Sequence, residues 1–313
     1  MSLTKPKSLP TQGVNVFPGS SPASVVFRDT FYLFYAGSGF DGVWVTSTTE
    51  SIGKTWQPIQ NLNTLGAKTL GIAQGTSPAV VEYKDALYLF FNGSGRDGIY
   101  VTKFNGQTWT QVAKVEIANT KLNENSSPCV AVFEGLLYLF YTSNSGIFWT
   151  SFDGNAWKTS WTQLRGVFVA PGTSPSAAVF NDKLYLFFNG IANDGTWYST
   201  CFGGKFAVQP IPMTGTNGGM TFRPGTNPDA AVLNGGYLFR LFWVDDATQT
   251  VFYSDSVDGG NWKPQKKLSC DGEAPIPGKN TGVDMCLFKE RPYMFWTSVS
   301  GGISVSQGFV WDI

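Results

Sequence analysis

The sequence predicts an all-β fold, a six-bladed β-propeller of four-stranded antiparallel blades, with the last blade closed by the N-terminal strand. Three observations carry this reading. An internal repeat of about 50 residues fills the chain, each copy divides into short aromatic-rich strands, and no helical hydrophobic period competes with them.

The repeat can be laid out directly. Residues 75–109 (GTSPAVVEYKDALYLFFNGSGRDGIYVTKFNGQTW) and 172–206 (GTSPSAAVFNDKLYLFFNGIANDGTWYSTCFGGKF) align without a gap and share LYLFFNG. Further copies start at Ser21-Pro22, Ser127-Pro128, Asn227-Pro228 and Gly282-Val283, so successive starts lie 56, 50, 47, 53 and 55 residues apart. Six copies account for 313 residues as a single domain, with blades beginning near residues 20, 76, 126, 173, 226 and 282.

Within a copy, strand A follows Ser-Pro (Ala79 to Tyr83), a polar turn leads to strand B (Leu87 to Phe91), and a Gly-rich hairpin leads to strand C (Ile99 to Thr102). Strand D is expected from Trp109. Runs of Val, Phe, Tyr and Trp between Gly, Asn and Asp turns are the β signature. The sixth copy ends where its own strand D should begin, and the segment from Lys5 to Phe17 has no blade. That segment is therefore expected to complete the sixth blade, which removes exposed sheet edges.

Composition narrows the function. The 22 basic and 22 acidic residues balance, with no basic stripe, so neither nucleic acid nor an anionic membrane is an expected partner. The absence of histidine removes Ser-His-Asp catalysis, imidazole bases and His-ligated zinc. Cys129, Cys201, Cys270 and Cys286 stand apart without a CxxC pair, and Cys129 and Cys286, at repeat positions otherwise held by Ala, Val or Ser, read as small buried core residues. No apolar leader or membrane-length segment is present, which predicts a soluble chain, cytoplasmic or released by a non-classical route. Asn92-Gly-Ser and Asn125-Ser-Ser match the glycosylation pattern and read as chance. There is no P-loop and no GxGxxG between a strand and a helix, so no cofactor is expected.

The turn between strands C and D recurs as SFDGNAW (151–157), SVDGGNW (256–262), KFNGQTW (103–109) and ESIGKTW (50–56). This resembles the Asp-box of sialidase-type propellers. The resemblance implies a structural turn in which Asp153 or Asp258 bonds backbone amides, and Trp157 or Trp262 packs between blades. The wider blade pattern, S-P-A, then L-Y-L-F, then D-G-x-W, resembles bacterial propeller lectins of the fucose-binding type. That implies repeated, multivalent pockets between blades, although those lectins are commonly seven-bladed. SPAVV followed by LYLF is also similar to five-bladed arabinanase-like glycosidases, whose strands A open on D-P and carry a catalytic Asp. Here the Asp follows Pro228 instead.

Two candidate sites follow. The first is repeated: Asp41, Asp97 and Asp194 in the B–C hairpins, each beside an aromatic residue (Trp44, Tyr100, Trp197), with Arg96 and Arg223 as contact groups. This would make the chain a carbohydrate-binding, lectin-like propeller whose partners are glycans or glycoconjugates. The alternative is that Asp-Gly is simply the preferred hairpin turn. Asn123, Arg165, Asn217 and Lys279 are further polar residues of the loops leading into strand A.

The second candidate is asymmetric. Strand A opens on Ala23, Ala79, Cys129 and Ser176 in four blades, but on Asp229 and Asp284 in blades five and six. Two carboxylates at a channel mouth suit a glycoside hydrolase with one axial site, an axial cation, or a polar lining. Calcium is disfavoured, since no DxDxDG-type loop appears, and no metal is expected. Arg240 replaces the strand-B Tyr of the other blades and needs a carboxylate, with Asp229, Asp245 or Asp246 as choices. It reads as a structural ion pair or as a group orienting substrate. A protein-interaction scaffold remains a third function class.

Overall fold

The computed structural model describes residues 3–39, 41–51, 55–67, 71–116, 122–144, 146–191, 195–207, 226–245 and 247–308, and the backbone of 211–212. Their strands form six separate sheets, the blades of a propeller. Blade one comprises Ala23–Phe27, Thr30–Ala36, Val43–Thr48 and Gln60–Asn61, from innermost to outermost. Blades two, three and five repeat this order, starting at Ala79–Tyr83, Cys129–Phe133 and Asp229–Leu233. In blade four, Lys205–Phe206 and Ile211–Pro212 both pair with the third strand.

Blade six has three strands from the C-terminal repeat, Val283–Phe288, Arg291–Thr297 and Ile303–Gln307. Its fourth is Lys7–Ser8, in register Lys7↔Val305 and Ser8↔Ser304. The ring is therefore closed by the N-terminal strand. The paired part is shorter than the expected 5–17: Val16 already bridges Gly37 of blade one. The outermost strands are also shorter and later than expected. Trp109 does not start strand D but bridges Phe104 to close the preceding turn, and the strand itself is Ala113–Lys114.

Each strand B sends alternate residues to opposite faces, so each blade packs against both neighbours. Phe31, Leu33 and Tyr35 face Phe288, Tyr293 and Phe295 of blade six. Phe34 and Ala36, one residue out of phase, face Leu87, Leu89 and Phe91 of blade two. The described residues thus form six inter-blade cores.

The repeated Ser-Pro has a specific task at the inner ends of these cores. Ser77 Oγ accepts from the Ser21 amide at 2.8 Å, Ser127 Oγ from the Ser77 amide at 2.8 Å, and Ser174 Oγ from the Ser127 amide at 2.7 Å. Ser21 Oγ closes the ring by accepting from Gly282 N at 2.7 Å. Each serine satisfies a buried amide of the preceding blade, and the proline after it contributes no further donor. Asn92 is a second latch. It is buried and donates to Ser126 O at 2.6 Å, so it is not an exposed glycosylation acceptor.

The Asp-box turns behave as their resemblance implies. Asp153 Oδ1 accepts from the amides of Asn155 and Ala156, and Asp258 Oδ1 from those of Gly260 and Asn261, all at 2.7–2.9 Å. These bonds, led by the Asn261 amide, hold the Asp258 carboxyl well below the usual carboxylate range. Trp262 meets Phe187 of blade four edge-on at 5.7 Å, which places it between two blades. No helix among the described residues is long and apolar enough to cross a membrane.

Candidate active site

The inner-strand starts of all six blades surround a cavity of about 150 Å³ on the propeller axis. The residues opening strand A occupy one register throughout, each opposite a strand-B phenylalanine: Ala23↔Phe34, Asp229↔Phe242 and Asp284↔Phe295 are examples. The repeat therefore delivers whatever side chain stands at this position to the axis. In blades five and six that side chain is a carboxylate.

Both carboxyl groups reach around the ring to the next blade. Asp229 Oδ2 accepts from the Met285 amide at 2.6 Å, and Met285 directly follows Asp284. Asp284 repeats the gesture one blade on, where it meets the amide and the hydroxyl of Ser24. The two acids are thus half-buried neighbours on one axial cavity, which serine, proline and alanine residues of the inner strands also line.

Enclosure sets their protonation. Burial raises the Asp229 carboxyl above its ordinary range, against the opposing Met285 and Ala230 amides. Burial also raises Asp284 well above its ordinary range, and the charge of Asp229 adds to it. The pair therefore holds a proton where isolated carboxylates would have lost theirs. Each acid accepts from two donors, Asp229 from the Met285 and Ala230 amides and Asp284 from the amide and hydroxyl of Ser24. The nearby Cys286 thiol is pushed up to about 12 by burial and by Asp284, so it is no nucleophile at neutral pH.

Ser24 is a site residue that the sequence reading missed. Five repeats carry Val80, Val130, Ala177, Ala230 and Met285 at its position, so a hydroxyl in that column was the available signal.

Arg240 lies outside this cavity. It forms a buried, bidentate pair with Asp255, its direct cross-strand partner, through Nε to Oδ1 at 2.5 Å and Nη2 to Oδ2 at 2.9 Å. The guanidinium carbon also lies 4.2 Å from the centre of the Tyr253 ring. The expected partners Asp229, Asp245 and Asp246 are replaced by Asp255, because register rather than proximity to the axis selects the carboxylate; Asp246 lies outside the described residues.

Two of the three hairpin carboxylates are engaged by side chains of their own blade. Trp44 Nε1 donates to Asp41 Oδ1 at 3.0 Å, and Asn61 and Asn63 both donate to the Asp41 carbonyl. A Cβ on Gly37 would come within 2.4 Å of both Asp41 and Trp44, so glycine there lets the hairpin fold onto its own carboxylate. In blade two, Tyr100 donates to Asp97 Oδ2 at 2.7 Å and Lys114 lies 3.6 Å from the same oxygen. Arg96 pairs with Glu124. Trp44, Tyr100 and Trp197 are partly buried against inter-blade cores. Asp194, Asn217 and Arg223 lie outside the described residues. Asn123 Oδ1 accepts from the Asn144 amide, whereas Arg165 and Lys279 are exposed. Among the described residues no group of three or more acidic or cysteine side chains could hold a metal ion.

No protein-family model and no curated protein matches the chain. Solved structures do. A Hadza microbial sialidase, Hz136, superposes with a TM-score of 0.64 at 13% identity, over 92% of this chain and 65% of its own. A point mutant of NanB sialidase from Streptococcus pneumoniae gives 0.61 at 9% identity, over 97% and 70%. A GH43 enzyme from Xanthomonas citri, complexed with xylose, gives 0.53 at 14% identity, over 96% and 89%. The chain thus spans about two thirds of the length of the first of these. At such identities the likeness establishes the β-propeller fold alone. It does not lead to fucose-binding lectins. The expectation of a lectin with shallow sites between blades is overturned: the similar structures are sialidases and GH43 enzymes, and the Asp41 and Asp97 carboxylates that would have served such sites are engaged within their own hairpins.

Proposed function

We propose that the chain is a glycoside hydrolase with one site on the propeller axis, and that Asp284 and Asp229 are its acid–base pair. The observation that carries this is the placement of two carboxyl groups in adjacent blades at one register, in a shared cavity that favours a single proton between them. Two carboxyls held in different protonation states are the minimum equipment for glycosidic cleavage.

In this reading Asp284 Oδ2 accepts from Ser24, which leaves Oδ1 to carry the proton toward the glycosidic oxygen. Asp229 stays ionised and faces the positive charge that develops at the anomeric carbon, or draws a proton from water. The Met285 amide fixes its orientation. The names of the similar structures, sialidases and a GH43 enzyme bound to xylose, support glycans as the substrate class.

The test is a panel of aryl xylosides, arabinosides and sialosides assayed with wild type and with Asp229→Asn and Asp284→Asn. Turnover of at least one glycoside is expected, falling about 10²–10⁴-fold in each variant. Equal turnover in wild type and both variants would remove the axial pair from the mechanism.

A further inference from the structure

A second cavity, of about 260 Å³, lies between blades one and two, away from the axial carboxylates. Its walls include Tyr32, Phe104 and Trp109 together with Ser47, Gln57 and Gln107. Phe104 stacks on Trp109 at 4.9 Å, and Tyr32 meets Phe104 at 5.9 Å and 66°. Three ring systems thus converge on one space.

The repeat shows what such a space holds. One blade on, Tyr88 and Phe152 form the equivalent ring pair at 6.0 Å. There the ammonium of Lys103 sits 4.9 Å from the Tyr88 centre and 5.3 Å from that of Phe152. Lys103 is the cross-strand partner of Tyr88, and its counterpart opposite Tyr32 is Ser47. In blade three a cation comes from the neighbouring position and lies on a different ring: Lys158 is 4.6 Å from the centre of Trp149, whose register counterpart in blade one is Val45. Lys158 N bonds Ser151 O as Gln57 N bonds Ser47 O, so its counterpart in blade one is Gln57. Blade one therefore keeps the aromatic box and has neutral residues at both positions that supply the cation elsewhere. Among the described residues, no cation of the chain lies over Tyr32, Phe104 or Trp109.

We propose that the pocket between blades one and two binds an ammonium group, primary or quaternary, from a small amine or from a lysine side chain of another protein. The aromatic faces supply the attraction for the charge. The amide oxygens of Gln57 and Gln107 are acceptors within reach of the rim for a primary ammonium.

The test uses three forms of the full chain: wild type, Ser47→Lys, which supplies the missing cation, and Lys103→Ser, which vacates the second box. Each is titrated calorimetrically with choline, with N-acetyl-lysine methylamide and with 3,3-dimethylbutan-1-ol, the uncharged shape analogue of choline. Saturable binding of an ammonium probe is expected at one site in wild type, weakened at least about tenfold in Ser47→Lys and by the uncharged analogue. Lys103→Ser should bind at two sites. Preference for choline would assign a small amine as the source, and preference for the lysine derivative a protein side chain. Absence of saturable binding, equal binding of the uncharged analogue, or an unchanged single site in both variants would overturn the proposal. Since Lys103→Ser removes only a half-buried side chain, its stoichiometry stays informative even if Ser47→Lys folds poorly.

Discussion

Ser24 in blade one donates its hydroxyl to Asp284 in blade six, across 260 residues of sequence and across the seam where the ring closes. The seam and the axial acids are therefore one structure. A residue that joins the first blade to the last also holds one carboxyl oxygen of the axial pair.

The first consequence concerns pH and stability. Asp284 holds its proton more tightly in the folded chain than in the unfolded one. Folding then takes up a proton above the ordinary carboxylate range, so stability is full below the unfolded pKa and declines as pH rises through the raised folded value. Asp284→Asn removes the titration and keeps the shape. The variant should be more stable than wild type at pH 8, with a higher Tm, and equal to it near pH 3.5. Parallel melting curves across pH check this. A constant offset at every pH would show that Asp284 titrates normally.

Arg240 and Asp255 give a second test, on the blade itself. Removing one member of a buried ion pair strands the other, so Asp255→Ala should cost about 3–5 kcal/mol. The double change Arg240→Tyr with Asp255→Ser installs the pair that blade three uses at this register, Tyr138↔Ser151. It should recover most of the loss. Urea denaturation of the two variants measures the difference, and a double variant no better than Asp255→Ala would show that the site requires its charges.

The serine ring predicts an inter-blade defect. Ser77→Ala leaves the buried Ser21 amide without its acceptor, at a cost of about 1–3 kcal/mol. Amide hydrogen exchange should rise first at Ser21 and its neighbours on the inner strand of blade one. Unchanged protection there would mean that water replaces the hydroxyl.

The fold was legible because the repeat is written in residues that build blades. Ser-Pro, the alternating strand-B aromatics and the Asp-box turns each have one mechanical task, and each recurs. Departures from the repeat pointed to special positions, and Asp229 and Asp284 were found this way. Ser24 was equally visible in the alignment of strands A but is a small residue whose meaning depends on which blade follows blade six. Arg240 was assigned the wrong partners because sequence proximity stood in for register. Tyr88 opposite Lys103, 15 positions on, was the guide to Asp255. The lectin reading failed for a different reason. The hairpin Asp-Gly pattern is the same whether the carboxylate faces a ligand or, as with Asp41 and Trp44, its own turn.

The axial acid–base pair is tested most directly by the leaving-group dependence of Asp284→Asn. Its kcat/KM should be measured on a phenyl glycoside and on the matching 2,4-dinitrophenyl glycoside, each relative to wild type. A general acid matters most when the departing oxygen needs a proton. The account predicts a loss of about 10²–10⁴-fold on the phenyl substrate and near-wild-type rates on the dinitrophenyl one, with Asp229→Asn impaired on both. Equal losses of Asp284→Asn on the two substrates, or none on either, would contradict it.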